Sequence, residues 1–199
     1  MAQSNVYSLN VVGYINTTLV GGAGTGKYQM IANQLNTTNN TIASLIPSPP
    51  DATSLFKWNG TTFDVATYAS FLGGWDHPTY TLNPGEGAII NSPSQWTNTF
   101  VGEVLQGNLT NPYPKNFSIR ASQIPLAGTL SSLQLPPSQF VDGDSVYQFN
   151  TVSQGYDVYT LLGGVWLGGP KPEPTLAIGE ACFLYPQNAG SWNQTFTVQ

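Results

Sequence analysis

The chain contains two copies of one unit. Segment 12–35 matches segment 101–124 at a constant spacing of 89 residues, without a gap. Further along, the turn Pro-Gly-Glu-Gly at 84–87 returns as Ile-Gly-Glu-Ala at 178–181. Self-similarity at a nearly fixed spacing predicts a structure built from two homologous parts. The duplication also allows each candidate functional motif to be compared with its counterpart in the other copy.

Both copies show the pattern of a β-protein. Apolar and polar residues alternate in 28–35 and in 117–124, which indicates half-buried strands. The pair Asn59-Gly60 between two apolar segments is typical of a tight hairpin turn. Fifteen prolines and twenty-one glycines separate the segments. The sequence predicts an all-β fold of two tandem homologous halves, each like a β-sandwich or barrel, with about twelve strands and very little helix.

The spacing places repeat one at 12–100 and repeat two at 101–199, after an N-terminal extended segment at 1–11. The first strand of repeat two is predicted at 100–106. A proline-rich loop is predicted at 110–116. The N-terminal segment has no counterpart in the second copy.

The composition excludes several classes of function. Charged residues make up 8% of the chain, against about 25% in an average soluble domain. The resulting neutral polar surface repels its own copies weakly and suits secreted proteins that assemble or contact glycans. The net charge is −5 and the five basic residues are scattered, so nucleic-acid binding is not expected. No apolar segment is long enough to span a bilayer.

The cysteine content and the N-terminus point to the cellular location. Cys182 is the only cysteine, which excludes an intrachain disulfide, and it aligns with Ala88 as a small buried residue. Ala2-Gln3 resembles the remainder of a cleavage site. We predict an exported protein, extracellular or on the cell surface, whose signal peptide is absent from this sequence.

Three motifs carry a family resemblance. They are the segment 28–35, the Trp-Asn-Gly of 58–60 and the Leu-Asn-Pro-Gly-Glu-Gly of 82–87. Together they resemble a β-repeat of uncharacterised secreted surface proteins of bacteria, in which Trp-Asn-Gly and Leu-x-Pro-Gly-x-Gly recur. The resemblance implies export and a surface role, and it supplies no catalytic residues.

No catalytic signature survives comparison of the two copies. Segment 21–27 fits the glycine and lysine spacing of a phosphate loop, but Tyr28 follows it where a Ser or Thr is required. The counterpart in repeat two contains prolines. His77 is the only histidine and has no equivalent in repeat two. The protein is therefore predicted not to be an enzyme.

The carboxylates are candidates for two roles, catalytic acids and metal ligands. Glu86 and Glu180 occupy equivalent turns, where each is expected to accept backbone N–H bonds. Asp142, Asp144 and Asp157 offer oxygens to calcium, although repeat one repeats this set only in part. No cofactor is predicted, and calcium is the alternative.

Trp75 and Trp166 are the principal candidate ligand contacts, with Tyr80 grouped beside them. Both tryptophans lie in glycine-rich loops. An exposed indole stacks on sugars or anchors a protein interface. The alternative is that both rings fold back and close the ends of their own halves. Trp58, in contrast, is predicted to be part of the core.

The leading hypothesis is a structural protein that assembles with copies of itself into a filament, sheath or layer. In that case the N-terminal strand, with Val6 and Leu9, pairs with the sheet of a neighbouring subunit. The alternative is a carbohydrate-binding module that stacks polysaccharide on Trp75 and Trp166.

Overall fold

The computed structural model of the protein describes residues 11–198. In that range the protein is all-β, as the sequence predicts. Helical structure is limited to α1 (Ile42–Leu45) and two single 3-10 turns. The sixteen strands are β1 (Val12–Leu19), β2 (Lys27–Ala32), β3 (Ser54–Trp58), β4 (Phe63–Ala69), β5 (Gly74–Trp75), β6 (Gly87–Ser92), β7 (Trp96–Glu103), β8 (Gly107–Tyr113), β9 (Ser118–Arg120), β10 (Gly128–Thr129), β11 (Ser145–Asn150), β12 (Gly155–Leu162), β13 (Val165–Gly168), β14 (Thr175–Leu176), β15 (Cys182–Tyr185) and β16 (Gly190–Phe196).

The same sheet is built twice. One five-stranded antiparallel sheet has the order β2-β6-β3-β4-β5, and the other has the order β9-β15-β11-β12-β13. Each half adds a two-stranded ribbon, β1–β7 in the first and β8–β16 in the second. Five strands were not predicted: β8, and the short strands β5, β10, β13 and β14, which have only two to four residues each. The duplication seen in the sequence is therefore also a duplication of topology.

Strand register defines which residues are equivalent. Met30 pairs with Ile89 in the first half, and Ile119 pairs with Phe183 in the second. Met30 therefore corresponds to Ile119, and Ile89 to Phe183. The spacing is 89 residues in the first strand of the sheet and 94 in the second, because the connecting loops differ in length.

The strand predicted at 100–106 is wrong. The segment 100–106 was predicted to open the second copy, but β7 runs without a break to Glu103 and pairs with β1 along its whole length. The second-half counterpart of β1 is β8, which occupies most of the loop predicted at 110–116. Pro112 fits in β8 because, within the described residues, that strand pairs with β16 alone and leaves one edge free.

Each half has its own core, and a third core lies between the halves. The first contains Leu19, Ile31, Leu55, Trp75 and Phe100 among its buried residues, and the second contains Leu130, Val146, Tyr159, Trp166 and Trp192. The third core forms where the outer faces of the two five-stranded sheets meet, and its buried members are Met30, Ala32, Ile89, Ile119, Ala121, Ala181 and Phe183. The groove described below opens from this third core.

Two equivalent hydrogen bonds join the halves. The N–H of Ala32 donates to the carbonyl of Gly179 at 2.8 Å, and the N–H of Ala121 donates to the carbonyl of Gly85 at 2.9 Å. The side-chain oxygen of Gln34 also accepts the N–H of Gly179 at 2.8 Å. The turn glycines of the Pro-Gly-Glu-Gly motif and its counterpart thus form the joint between the two copies.

The joint explains why Gly85 is glycine, and it yields a test. Gly85 has φ +88°, and a Cβ there would collide with the side chain of Asn111, whose amide donates to the Gly85 carbonyl at 2.8 Å. Gly107 has φ +85° with open space around it. We expect Gly107→Ala to lower the free energy of unfolding by about 1 kcal/mol. Gly85→Ala should cost about 1–3 kcal/mol more.

Urea unfolding of both variants measures the difference. Equal losses in the two variants would contradict a close-packed joint at Gly85, because backbone strain alone would then account for both.

Candidate ligand-binding groove

The outer faces of the two five-stranded sheets are apolar because of the period-two pattern of their edge strands. Tyr28 and Met30 lie on the same face of β2, and Phe117 and Ile119 occupy the equivalent positions in the second half. Met30 and Ile119 are buried between the halves, whereas Tyr28 is 42% exposed. The face that buries the joint therefore continues outward as a partly open aromatic surface.

Ten residues line this opening, and we call them the aromatic groove. They are Tyr28, Phe56, Trp58, Phe63, Ile89, Phe117, Tyr147, Phe149, Tyr156 and Phe183. Ile89 and Phe183 are buried and form its floor. The other eight side chains are aromatic and partly or well exposed, so their rings remain within reach of a ligand.

The walls of the groove are cross-strand aromatic pairs. Trp58 lies opposite Phe63 with ring centroids 5.0 Å apart, and Phe149 lies opposite Tyr156 at 5.2 Å. Both pairs close a hairpin of the same kind, β3–β4 in the first half and β11–β12 in the second. Edge-to-face contacts of this type hold each ring in a defined orientation.

The floor follows the same duplication. Phe56 pairs with Ile89, and Tyr147 pairs with Phe183. The ring of Phe183 contacts that of Phe117 at 5.6 Å. Every groove residue therefore has a counterpart in the other half, and an approximate twofold axis relates the two sets.

The groove contains two apolar pockets. The first has a volume of about 350 Å³ and is lined by Tyr28, Phe56, Phe63, Ile89, Phe149 and Tyr156. The second has a volume of about 320 Å³ and is lined by Trp58, Phe63, Phe117, Tyr147, Tyr156 and Phe183. Phe63 and Tyr156 belong to both pockets and stand at the centre of the groove. Volumes of this size suit small ligands or the units of a longer chain.

A polar pocket continues the groove at each end. One, of about 290 Å³, shares Phe149 with the first apolar pocket and includes Gln29, Thr151 and Glu180. The other, of about 180 Å³, shares Trp58 and Phe117 with the second apolar pocket and includes Asn59, Glu86 and Arg120. Shared lining residues therefore link the four pockets in the order polar, apolar, apolar, polar.

The carboxylates at the two ends bind their own turns, as predicted. Glu86 accepts the N–H of Asn83 at 2.8 Å, and Glu180 accepts the N–H of Ala177 at 2.8 Å. Each carboxylate also binds one side chain from a strand of its own half, but that side chain is charged in one half and neutral in the other. In the first half Lys57 forms an ion pair with Glu86 at 3.1 Å.

In the second half the lysine is replaced by Gln148. Its amide donates to Glu180 at 3.2 Å and to the carbonyl of Thr175, as Lys57 donates to Glu86 and to the carbonyl of Thr81. Burial raises the pKa of Glu180, opposed by the hydrogen bonds from Ala177 and Gln148. The two ends of the groove therefore have equivalent carboxylate turns but different charge.

Each half also covers the edge strand of the other beside the groove. The indole N–H of Trp58 donates to the carbonyl of Phe117 at 2.9 Å. In the equivalent place, the side-chain amide of Gln154 accepts the N–H of Tyr28 at 2.7 Å and donates to its carbonyl at 3.1 Å. Backbone groups on a sheet edge are thereby satisfied, and the groove walls are tied to both halves.

Trp75 and Trp166, the predicted ligand contacts, are buried. Only 7% of Trp75 and 5% of Trp166 is exposed, which matches the alternative that both rings close their own halves. Trp75 donates its indole N–H to the carbonyl of Ile46 at 2.8 Å. The preceding glycines, such as Gly74 with φ +127°, let the chain turn sharply enough to direct the ring inward. Neither ring face is open for stacking on a ligand.

Tyr80, another predicted contact, lies away from the groove. Tyr80 is half-buried against the first core and stacks on His77 with ring centroids 4.9 Å apart. His77 is exposed and hydrogen-bonded to Asp76. Val6 and Leu9 lie outside the described residues.

The other sequence motifs have structural surroundings of their own. The phosphate-loop look-alike at 21–27 leads into strand β2, where a phosphate loop would lead into a helix. Asp142 and Asp144 accept backbone N–H groups of Gly163, Val141 and Gln187.

Cys182 is fully buried in β15, as predicted, and burial raises the pKa of its thiol. Within residues 11–198 no three His, Cys, Asp or Glu side chains lie close enough together to hold a metal ion.

Sequence reasoning missed the aromatic groove. Trp58 was predicted to be in the core, and no ligand contact was predicted for the other groove aromatics. The signal was present in the repeat, because Tyr28 matches Phe117 and Phe63 matches Tyr156 in aromatic character. Retention of aromatic side chains at equivalent strand positions, on a face that is not the core of either half, indicates a shared surface.

Comparison with known proteins gives no match: no protein-family model, no curated protein and no solved structure matches this chain. Among the described residues, no helix is long and apolar enough to cross a membrane.

The difference between Lys57 and Gln148 leads to a prediction. Because the pKa of Glu180 is raised above its ordinary 4.5, this group stabilises the fold fully below that pH. The stabilisation is lost as the pH rises through the raised pKa. We expect Gln148→Lys to give Glu180 a second cation besides Lys171 and to stabilise the protein at pH 7 by about 0.5–1 kcal/mol. At pH 3 the gain should disappear, because Glu180 is then protonated.

Thermal unfolding at the two pH values measures the effect, with Lys57→Gln as the reciprocal variant that should lose stability at pH 7. A stabilisation by Gln148→Lys of equal size at pH 3 and pH 7 would show that the lysine acts by packing rather than by charge.

Proposed function

We propose that the protein is a non-catalytic, exported binding protein that holds a neutral polysaccharide chain in the aromatic groove. The observation that carries the proposal is the row of eight partly exposed aromatic side chains with a polar pocket at each end. This keeps the carbohydrate-binding hypothesis and moves its site from the two buried loop tryptophans to the joint between the halves.

The chemistry of the groove supports a sugar chain. Aromatic faces carry negative charge density and attract the weakly positive C–H groups on the flat side of a sugar ring. The end pockets add amide, hydroxyl and carboxylate groups, such as those of Gln29, Thr151 and Glu86, that pair with sugar hydroxyls. A ligand with apolar ring faces and hydroxylated edges therefore matches both the centre and the ends.

The charge of the protein supports a neutral ligand. The net charge is −5, which disfavours polyanions. At the groove itself, Lys57 is held by Glu86, and Arg120 donates to the carbonyls of Pro112 and Ile119. The cations beside the groove are thus engaged within the protein.

Tyr156 gives the sharpest test because it is central, belongs to both apolar pockets and is 42% exposed. We expect the wild type to bind at least one of cellulose, chitin, xylan, mannan or starch in pull-down assays. Tyr156→Ala should weaken that binding about tenfold or more, since comparable stacking of a base on an aromatic ring is worth about 1–3 kcal/mol. Tyr156→Phe should retain most of the affinity.

Tyr14→Ala is the matched control, because Tyr14 is 72% exposed on β1 and lies outside the aromatic groove. Thermal unfolding of each variant shows whether the fold is retained. Wild-type protein that captures none of the five polysaccharides would refute the proposal.

A second candidate function, self-assembly into a structural polymer, is favoured by two apolar patches. The first patch is Phe71 and Leu72, which are 81% and 74% exposed, and the second is Leu162 and Val165, both 56% exposed. The patches lie at equivalent connections: the first is in the 3-10 turn between β4 and β5, and the second consists of the last residue of β12 and the first residue of β13. One patch on each half allows a copy to contact two others, which is what an open polymer requires, and the low charge opposes such contacts weakly.

Light scattering over a range of protein concentrations tests self-assembly. We expect the wild type to form larger species as its concentration rises and Phe71→Asp to stop that growth, because a charge in an apolar contact is costly. Val152→Asp is the control, since Val152 is 93% exposed outside both patches. A wild type that stays monomeric at high concentration would exclude this candidate.

A further inference from the structure

We propose that the two apolar pockets are equivalent subsites that bind successive portions of one ligand chain. This inference rests on the proposed polysaccharide function and adds to it the number, relation and spacing of the subsites. It follows from the duplication of the groove rather than from the chemistry of a single pocket.

The equivalence of the pockets is established by strand register. Phe56 beside Ile89 in the first pocket matches Tyr147 beside Phe183 in the second. Each pocket therefore has one aromatic side chain on the third strand of its sheet and one apolar floor residue on the next strand.

The wall residues of the two pockets are equivalent too, and each pocket takes wall residues from the other half. Phe149 of the second half lines the first pocket, and Trp58 of the first half lines the second. Phe63 and Tyr156, which are also equivalent to each other, lie in both pockets. The approximate twofold axis therefore passes between Phe63 and Tyr156 and relates one pocket to the other.

The chemical character is also similar in the two pockets. Each has its own tyrosine, Tyr28 in the first and Tyr147 in the second, and both share Tyr156. The volumes, about 350 and 320 Å³, are nearly equal. A unit that fits one pocket thus meets rings and a hydroxyl of the same kind in the other.

A continuous chain is the ligand that uses such an arrangement best. The two apolar pockets share two residues, and each shares further wall residues with one polar pocket. A chain that crosses both subsites therefore reaches a polar pocket at each end. Once one unit is bound, the next is held at a high local concentration beside the second subsite, which raises affinity without any new kind of contact.

The experiment is isothermal titration calorimetry with gluco-, xylo-, manno- and N-acetylglucosamine oligosaccharides of one to six units. We expect affinity for the preferred sugar to rise about 100-fold once the chain is long enough to enter both pockets. Binding of the longest chain should saturate at one chain per protein.

Variants confined to one subsite complete the test. Phe56→Leu removes a ring from the first pocket and Tyr147→Leu removes one from the second, and leucine keeps enough volume to limit unfolding. Each variant should lower affinity for the six-unit chain by a similar factor, of about tenfold or more. Thermal unfolding confirms that both variants are folded.

The outcomes separate this inference from the proposed function. Affinity that does not increase with chain length, or a loss in only one of the two variants, would overturn the paired subsites while leaving polysaccharide binding in place. Wild-type protein that binds none of the oligosaccharides would overturn both.

Discussion

The contact between the two five-stranded sheets is the interaction on which the rest of the structure depends. The sheets approach so closely that only a small residue fits at position 87. A Cβ on Gly87 would collide with Ala181 and Ile119. The close approach lets Ala32 and Ala121 each donate a backbone hydrogen bond to a turn glycine of the other half. The floor of the aromatic groove, its two subsites and the polar pockets at its ends all exist because the sheets meet at this distance.

Much of the fold could be predicted from the sequence because local pattern determines it. Alternation identified β2 and its counterpart β9, although these strands end at Ala32 and Arg120, short of the predicted 35 and 124. The Asn59-Gly60 turn specified the β3–β4 hairpin, where the Asn59 side chain accepts the N–H groups of Thr61 and Thr62. The first strand of the second copy was misplaced because sequence similarity and strand equivalence differ there. Two prolines suggested a loop, and only the free edge of β8 explains how Pro112 belongs to a strand.

The groove could not be predicted in the same way, because it is a property of the pair of halves. Alternation identifies a face that is shielded from water, but it does not distinguish a core within one half from a surface shared by two. Trp58 was therefore predicted to be in the core, whereas its ring lines the groove and its N–H reaches Phe117 of the other half. Trp75 and Trp166 raised the converse problem, since glycine-rich loops allow a ring to point either way.

The exchanged covers of the edge strands, Trp58 over Phe117 and Gln154 over Tyr28, have a consequence for how the protein can vary. The two halves contact each other isologously, as the subunits of a twofold dimer do. In a true dimer of identical chains, every substitution appears on both sides of the axis at once. Here the two sides belong to one chain, so a tryptophan can serve on one side and a glutamine on the other. Because both copies lie in one chain, the interface need not be symmetric, and one side can change in sequence while the other is preserved.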